Sequence, residues 1–477
     1  MKILFVIHDL DFADHMAIAY LSAVAKQINH QTFFCSLDRN DLIASVKEVS
    51  PDIVAYSVNI IGFKKIMQAN REAIKIHKFI SIMGGPHPTI SPETFTESGM
   101  DAYCIGEGEY PFRDFLLRVE AGNPYDDVAN LITKNRVNPV RPLITNLDEL
   151  PPADRDLVIS NSHLKYAAKK TFYVTRGCPF SCAYCCNNYY HKLYRGKGAA
   201  VRRFSVERTL REIEDVGSKY RMDFVKFGDD CFAFKADEWL EEFSENYPQR
   251  VGVPFNCYLR LDTVDDAMLR LLKKAGCFSV HLSVDSTSRH VRENILKRQM
   301  RNENIEEKLR KIKDYGINTW VNYMLAAPES TLQDDLETIK MSKRARVTYP
   351  SYTITVPMEK TDLYDYCVEH SLIDPSTYLG DMSGLAKKSV LSCFTEKEKN
   401  IRFNIFLLGA WLAKLPFPVD RVALLLIKAI PPNKFFRKMY EFLFEYYVER
   451  KIFKLKKDNL RGKRFLDYGN NEAVNNG

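Results

Sequence analysis

Three cysteines fall within one short stretch, Thr175-Arg176-Gly177-Cys178-Pro179-Phe180-Ser181-Cys182-Ala183-Tyr184-Cys185-Cys186, at the spacing C-x3-C-x2-C. Thiolates this close in sequence can close round one inorganic centre, and thiolate is the soft ligand that selects iron-sulfur clusters or zinc. Such a loop needs a rigid support, and it follows a strand-like run at 171 to 175. A cube of four irons held by three cysteines leaves one iron open. A structural zinc site wants a fourth ligand, usually from a second, separated pair. The adjacent Cys186 is the local candidate, and in an extended backbone it would point away from Cys185. A disulfide fits less well in a chain whose eleven cysteines show no regular pairing.

The pattern on either side is strand alternating with helix. From Lys170 onward, candidate strands at 171 to 175, 224 to 227, 255 to 258, 279 to 284, 318 to 325 and 352 to 356 predict a partial (β/α)6 barrel, whose chemistry lies at the carboxyl ends of its strands. Cys178 follows the first of them. Ahead of the cysteines, strands at 3 to 7, 52 to 58, 79 to 83 and 102 to 105 alternate with helices at 17 to 28 and 64 to 77. That predicts a doubly wound parallel sheet of α/β class, with ligands at the strand ends. Glycine-bearing turns at Gly84-Gly85-Pro86-His87-Pro88-Thr89 and Gly106-Glu107-Gly108-Glu109 fall at such ends, where a missing side chain admits a ligand to the backbone. Between the two regions, prolines 124, 139, 142, 151 and 152 break regular structure. The expected organisation is therefore a sheet domain over 1–120, a linker over 121–165, a barrel over 166–375 and a helical region over 376–477.

Cys178, Cys182, Tyr184 and Cys185 match the C-x3-C-x-aromatic-C mark of the radical S-adenosylmethionine (SAM) superfamily, which the stretch resembles. The two glycine turns, with Ser50 to Ser57 and Ala19-Tyr20-Leu21, resemble the cobalamin-binding domain that precedes many of these enzymes. The resemblance covers residues 1 to about 375. It implies a [4Fe-4S] cluster on Cys178, Cys182 and Cys185, whose open iron chelates SAM, with Tyr184 beside it. It further implies that Gly228, Asp229 and Asp230 hold the amino group of SAM, that Arg260 pairs with its carboxylate, and that Ser283 and Asp285 reach its ribose. Ser57, Gly84, Gly85, Pro86, His87, Gly106, Glu107 and Gly108 would cradle cobalamin. Asp285 stands where the family typically has Glu, Thr287 where it has Gly, and Ala326 replaces a more glycine-rich turn. The D-x-H-x-x-G motif that supplies a cobalt-ligating histidine is absent; Asp9, Asp14 and His15 lack its spacing, and His87 between two prolines is a ligand candidate or a shaper of its loop.

The implied activity is methylation of an unactivated carbon, through a 5'-deoxyadenosyl radical and methylcobalamin. Cyclisation, rearrangement or oxidation without methyl transfer is the enzymatic alternative, and a non-catalytic cluster or zinc protein the other. The substrate would be a small molecule or lipid, and the electron donor a flavodoxin or ferredoxin.

Charge is uneven along the chain. Of the net +7, residues 401 to 477 hold 15 Lys+Arg against 7 Asp+Glu, so residues 1 to 400 sum to −1. The aromatic, proline-broken C-terminal region reads as several short helices, with Val422 to Ile427 apolar throughout and expected to be buried against its own protein, and the region as a whole is expected to cap the open side of the barrel. The alternative combines its aromatics with Lys451, Lys454, Lys456, Lys457, Arg461, Lys463 and Arg464 into a peripheral membrane contact. Gly469 to Gly477 reads as frayed. Met1 to Asp9 begins as a strand with no leader pattern, no run spans a bilayer, and no nucleic-acid motif is found, so a cytoplasmic protein is expected.

Overall fold

The computed structural model describes residues 1–10, 15–300, 304–377, 379 and 388–455. The chain divides into two compact units, Met1–Lys170 with Tyr189–Arg221, and Thr171–Asn188 with the residues from Met222 onward. Asp14, the basic residues from Lys456 to Arg464 and the stretch Gly469 to Gly477 lie outside the described residues.

The first unit is built on six strands, β1 (Lys2–Ile7), β2 (Gln31–Ser36), β3 (Ile53–Ser57), β4 (Ile80–Gly84), β5 (Ala102–Cys104) and β6 (Leu131–Thr133), in the order β2-β1-β3-β4-β5-β6. The first five are parallel and β6 runs antiparallel to β5. Every residue of Ile3–Ile7 is buried, as a central strand covered on both faces requires. The order reverses between β1 and β3, which opens a crevice at the carboxyl ends there.

The stretch 121–165 is more structured than its prolines predict. It supplies β6 and the short helix Arg155–Ile159, whose Leu157 and Val158 share a core with Ile3 and Phe115. The prolines fall between these elements and not inside them, so no ladder or helix bond is lost. Strand β2 and the helix Leu42–Val49 went unread because β2 is only partly buried and begins with polar residues. The helix Val206–Lys219 also belongs to this unit; Ser205 caps it by accepting from the Arg208 N–H at 3.1 Å, a contact worth about 1 kcal/mol.

The second unit carries β7 (Lys169–Phe172), β8 (Phe224–Phe227), β9 (Phe255–Tyr258), β10 (Cys277–Asp285), β11 (Asn318–Leu325) and β12 (Tyr349–Ile354), ordered in space as in sequence. All pairs from β8 to β12 are parallel. This is the expected partial barrel. Its connecting helices start on side-chain caps at Asp237, Asp265, Asn304 and Thr331, so each strand is followed by a turn that satisfies the exposed N–H groups of the next helix.

The C-terminal region divides in two. The helix Glu396–Leu412 buries eleven of its seventeen residues and lies on β12, where a side chain at Gly409 would collide with the Tyr352 ring. Its fully buried Arg402 places Nε 2.6 Å from Asp335 Oδ2. Farther on, the π-helical turn Glu445–Ile452 brings Ile452 and Phe453 into one apolar cluster with Phe224, Phe278, Trp320 and Tyr349, at the beginnings of the barrel strands. The region therefore covers the last strand and the strand-start end. Val422 to Ile427 departs from its expected burial. Within the helix Val419–Ala429, Ala423 and Ile427 are the buried residues, while Val422, Leu425 and Leu426 are 58%, 67% and 52% exposed. This helix packs on its own protein along one side.

Candidate active site

The cysteine loop leaves the carboxyl end of β7, and its backbone bends tightly. The Cys185 N–H donates to Cys182 O at 3.1 Å, and Asn188 N–H to Cys185 O at 3.2 Å, opening the helix Asn187–Leu193. Because the chain turns here and is not extended, Cys186 stays beside Cys185 and their thiols share a hydrogen bond. Cys182 is buried and Cys178 and Cys185 are half-buried. Burial pushes the Cys178 thiol up to about 11, helped by the Asp230 carboxylate. A metal would therefore displace protons on binding. Among the described residues no three His, Cys, Asp or Glu side chains converge as ligands of a single ion do. A cube takes each thiolate on a different iron and makes no such demand.

Groups from the neighbouring strand ends surround the loop. The Arg260 guanidinium lies 3.8 Å over the Phe180 ring, donates to Cys182 Sγ at 3.6 Å and to Gln299 O at 2.7 Å, and pairs with Asp262 at 2.7 Å. It thus sits beside a candidate cluster ligand, with its Nε side already committed. Asp229, after β8, accepts through Oδ1 from the N–H groups of Val174 and Thr175 at 2.7 and 2.5 Å and from the Thr175 hydroxyl at 2.9 Å. Its Oδ2 is buried with no hydrogen-bond partner, and burial raises this carboxyl to about 7. A buried carboxylate oxygen left open in this way suits a cation. Asp230 is exposed and accepts from Asn187 Nδ2 at 3.0 Å. Gly228 serves its own chain, since a Cβ there would come 2.8 Å from the Tyr173 ring.

Asp285 is committed to protein partners. Its Oδ2 accepts from the Tyr184 hydroxyl at 2.6 Å and lies 3.1 Å from Arg298 Nε, while the Ser283 hydroxyl donates to Oδ1. Arg298 also donates to Ser283 O at 2.7 Å and to the Tyr184 oxygen at 3.3 Å. Asp285 takes a φ of 66°, a strained conformation for a non-glycine residue, which this network over-determines. Tyr184, the aromatic residue of the cysteine motif, is thereby tied to the end of β10. Sequence reading missed Arg298, which lies in the polar stretch Lys297-Arg298-Gln299, where a basic residue reads as solvent-facing. It also missed His281, stacked between Tyr258 and Trp320 at 4.2 Å from each and held neutral by burial, at about 3.

In the first unit, Ser57 and Gly84 are register partners at the ends of β3 and β4. Gly85 precedes the short helix Pro86–Ile90. The Thr89 hydroxyl donates to Gly85 O at 2.8 Å and accepts from the Gly106 N–H at 3.0 Å, which ties the two glycine turns together. Gly106 has a φ of 75°, and a Cβ there would lie 1.9 Å from the Tyr194 hydroxyl, so only glycine fits. Glu107 is engaged by Arg202 at 2.8 Å and by the Ile144 N–H at 3.1 Å; it acts as a strut of its own unit. Gly108 caps the helix Glu109–Glu120. His87 is buried, its ring tilted against that of Phe63 with the centroids 3.9 Å apart, bonded through Nε2 to Thr94 at 3.3 Å, and lowered by burial to about 4. Its packing makes it a shaper of the loop, with Nδ1 buried and unpartnered.

Residues 172–341 match the Radical SAM superfamily and residues 10–116 the B12 binding domain. The chain is similar to an uncharacterized methyltransferase of Pyrococcus horikoshii, 25% identical over 374 residues that make up 75% of this chain and 79% of that protein. It is also similar to the anaerobic magnesium-protoporphyrin IX monomethyl ester cyclase of Rubrivivax gelatinosus, 23% identical over 371 residues, or 73% and 65% of the two chains. Among solved structures, the radical S-adenosylmethionine methyltransferase TsrM from Kitasatospora setae, with cobalamin and a [4Fe-4S] cluster bound, shares the fold, with a TM-score of 0.63, 15% identity and cover of 77% and 78%. The chain belongs to the radical SAM superfamily and carries a B12-binding domain ahead of its radical SAM domain.

Proposed function

We propose that this protein is a cobalamin-dependent radical SAM enzyme that methylates an unactivated carbon of a small molecule. The observation that carries the reading is the set of groups at the barrel's strand ends: three free thiols on one loop, the Arg260 guanidinium beside Cys182 and the open Oδ2 of Asp229. Cys178, Cys182 and Cys185 hold a [4Fe-4S] cluster, and Arg260 stabilises thiolate charge at Cys182. Asp229 Oδ2 takes the amino group of SAM. Asp285, Ser283 and Arg298 act by fixing Tyr184, and so the cysteine loop, in place. In the first unit Ser57, Gly84, Gly85 and Gly106 form the backbone floor for cobalamin, with His87 kept neutral behind it.

Bound at these places, the cluster supplies the electron that cleaves SAM and cobalamin carries the methyl group; the chain supplies orientation and exclusion of water and oxygen. A reduced flavodoxin or ferredoxin would provide the electron. The domain reading that accompanies this is a B12-binding unit, a radical SAM barrel and a C-terminal helical region. The relationship to a cyclase keeps a reaction without net methyl transfer as a second reading.

The test is anaerobic purification with cluster reconstitution and added hydroxocobalamin, followed by assay of SAM cleavage on methyl-acceptor candidates. About four irons and one cobalt per chain, with S-adenosylhomocysteine and 5'-deoxyadenosine formed together, supports the methyltransferase. 5'-Deoxyadenosine without S-adenosylhomocysteine selects the second reading, and zinc in place of iron refutes both.

A further inference from the structure

The helices Val419–Ala429 and Lys434–Phe444 present an apolar face that no described part of the chain covers. Eight of the thirteen large exposed hydrophobic residues of the described chain lie between Phe417 and Phe442. On the first helix Val422, Leu425 and Leu426 line one side and Ala423 and Ile427 are buried on the other, so packing on the protein fixes which side looks outward. On the second, Phe435 and Phe442 are 69% and 67% exposed and share a stripe with Lys438, at i, i+3 and i+7.

We infer that this face docks on an anionic lipid surface. Charge selects lipid as the occupant: Arg421, Lys434 and Lys438 stand exposed along the apolar stripe, the Arg421 guanidinium lies 4.8 Å over the Phe417 ring, and the basic excess of the chain is confined to residues 401 to 477. Apolar residues edged by Lys and Arg are what the headgroup boundary of a negatively charged bilayer accepts. Each helix has eleven residues, about 16 Å of length, against the ~30 Å of a hydrocarbon core. No described helix is long and apolar enough to cross a membrane. The contact is therefore in the plane of one leaflet.

The inference goes beyond the proposed chemistry, and its readout is binding, not turnover. The full chain is sedimented with vesicles of phosphatidylcholine alone and of phosphatidylcholine mixed with phosphatidylglycerol. Binding to the anionic vesicles is expected, about ten-fold weaker on the neutral ones and reduced by salt. A Leu425→Glu, Phe442→Glu variant with unchanged circular dichroism should lose about ten-fold or more. Phe435→Trp should gain fluorescence quenched by brominated acyl chains. Absence of binding to anionic vesicles overturns the inference, as does binding that the glutamate variant leaves intact. So do a dimer that the glutamate variant converts to monomer without vesicle binding, and a chain ending at Leu455 that binds where the full chain does not; these identify a second copy or the chain's own tail as the occupant.

Discussion

At the strand ends of the first unit the chain presents mostly backbone: two glycine turns braced by Thr89, a neutral His87, and a Glu107 whose charge is already met by Arg202. At those of the second it presents side chains that carry charge or soft ligation: three thiols, a carboxylate oxygen on Asp229 with no hydrogen bond, and the Arg260 guanidinium. Both are carboxyl ends of parallel strands, so the fold places ligand sites in each. What differs is the means of holding. A surface of backbone and satisfied charges recognises by shape, whereas clustered thiols and buried ionic groups recognise by charge and coordination.

Removing a thiol should have the largest effect. Cys182→Ala, which also removes the Arg260 contact, is expected to abolish SAM cleavage and lower bound iron to background, measured by metal analysis and product chromatography, while cobalamin uptake by the first unit persists. Loss of cobalamin in the same variant would break the distinction. Arg298→Met leaves the Asp285 carboxylate buried without its counter-charge, at a cost of about 3–5 kcal/mol; denaturant unfolding measures it, and a weaker SAM affinity should accompany it because Tyr184 is released. On the first unit's side, Gly106→Ala forces a Cβ into the Tyr194 hydroxyl and strains φ, for about 2–3 kcal/mol. Adding Tyr194→Phe should recover only part of the collision, since the ring Cζ still lies 2.8 Å from the new Cβ and the Glu107 N–H loses its acceptor, and should leave the strain.

The smallest effect is a pH dependence. Asp229 titrates near 7 in the fold against 3.8 without burial, so the folded state binds its proton more tightly over that interval. Stability of the cofactor-free protein is then present at low pH and lost as pH rises from about 4 through about 7. Asp229→Asn should flatten that decline, seen as a thermal-midpoint difference from the parent that grows between pH 5 and pH 8. An unchanged difference would show that the three donors on Oδ1 already neutralise the burial.

The cysteine triad, the alternation of elements and both glycine turns were legible because each is local: spacing and composition within a dozen residues carry them. Thr89, Tyr194 and Arg298 were not. Thr89 reaches Gly106 across 17 residues, Tyr194 reaches Glu107 across 87, and Arg298 reaches Tyr184 across 114. Nothing in the sequence around either partner announces the other. For Glu107 and Asp285 the resemblance implies cofactor contacts; the fold adds ion pairs with Arg202 and Arg298, which neither motif announces. The run Val422 to Ile427 misled for a different reason. An all-apolar helix reads as interior, and only tertiary packing reveals that it has a partner on one side.

Ile452 and Phe453, packed among the beginnings of the strands, give the barrel a floor. At that end the barrel is then a cup and not a pipe: apolar side chains from the chain's own C-terminal region stand against the starts of its strands.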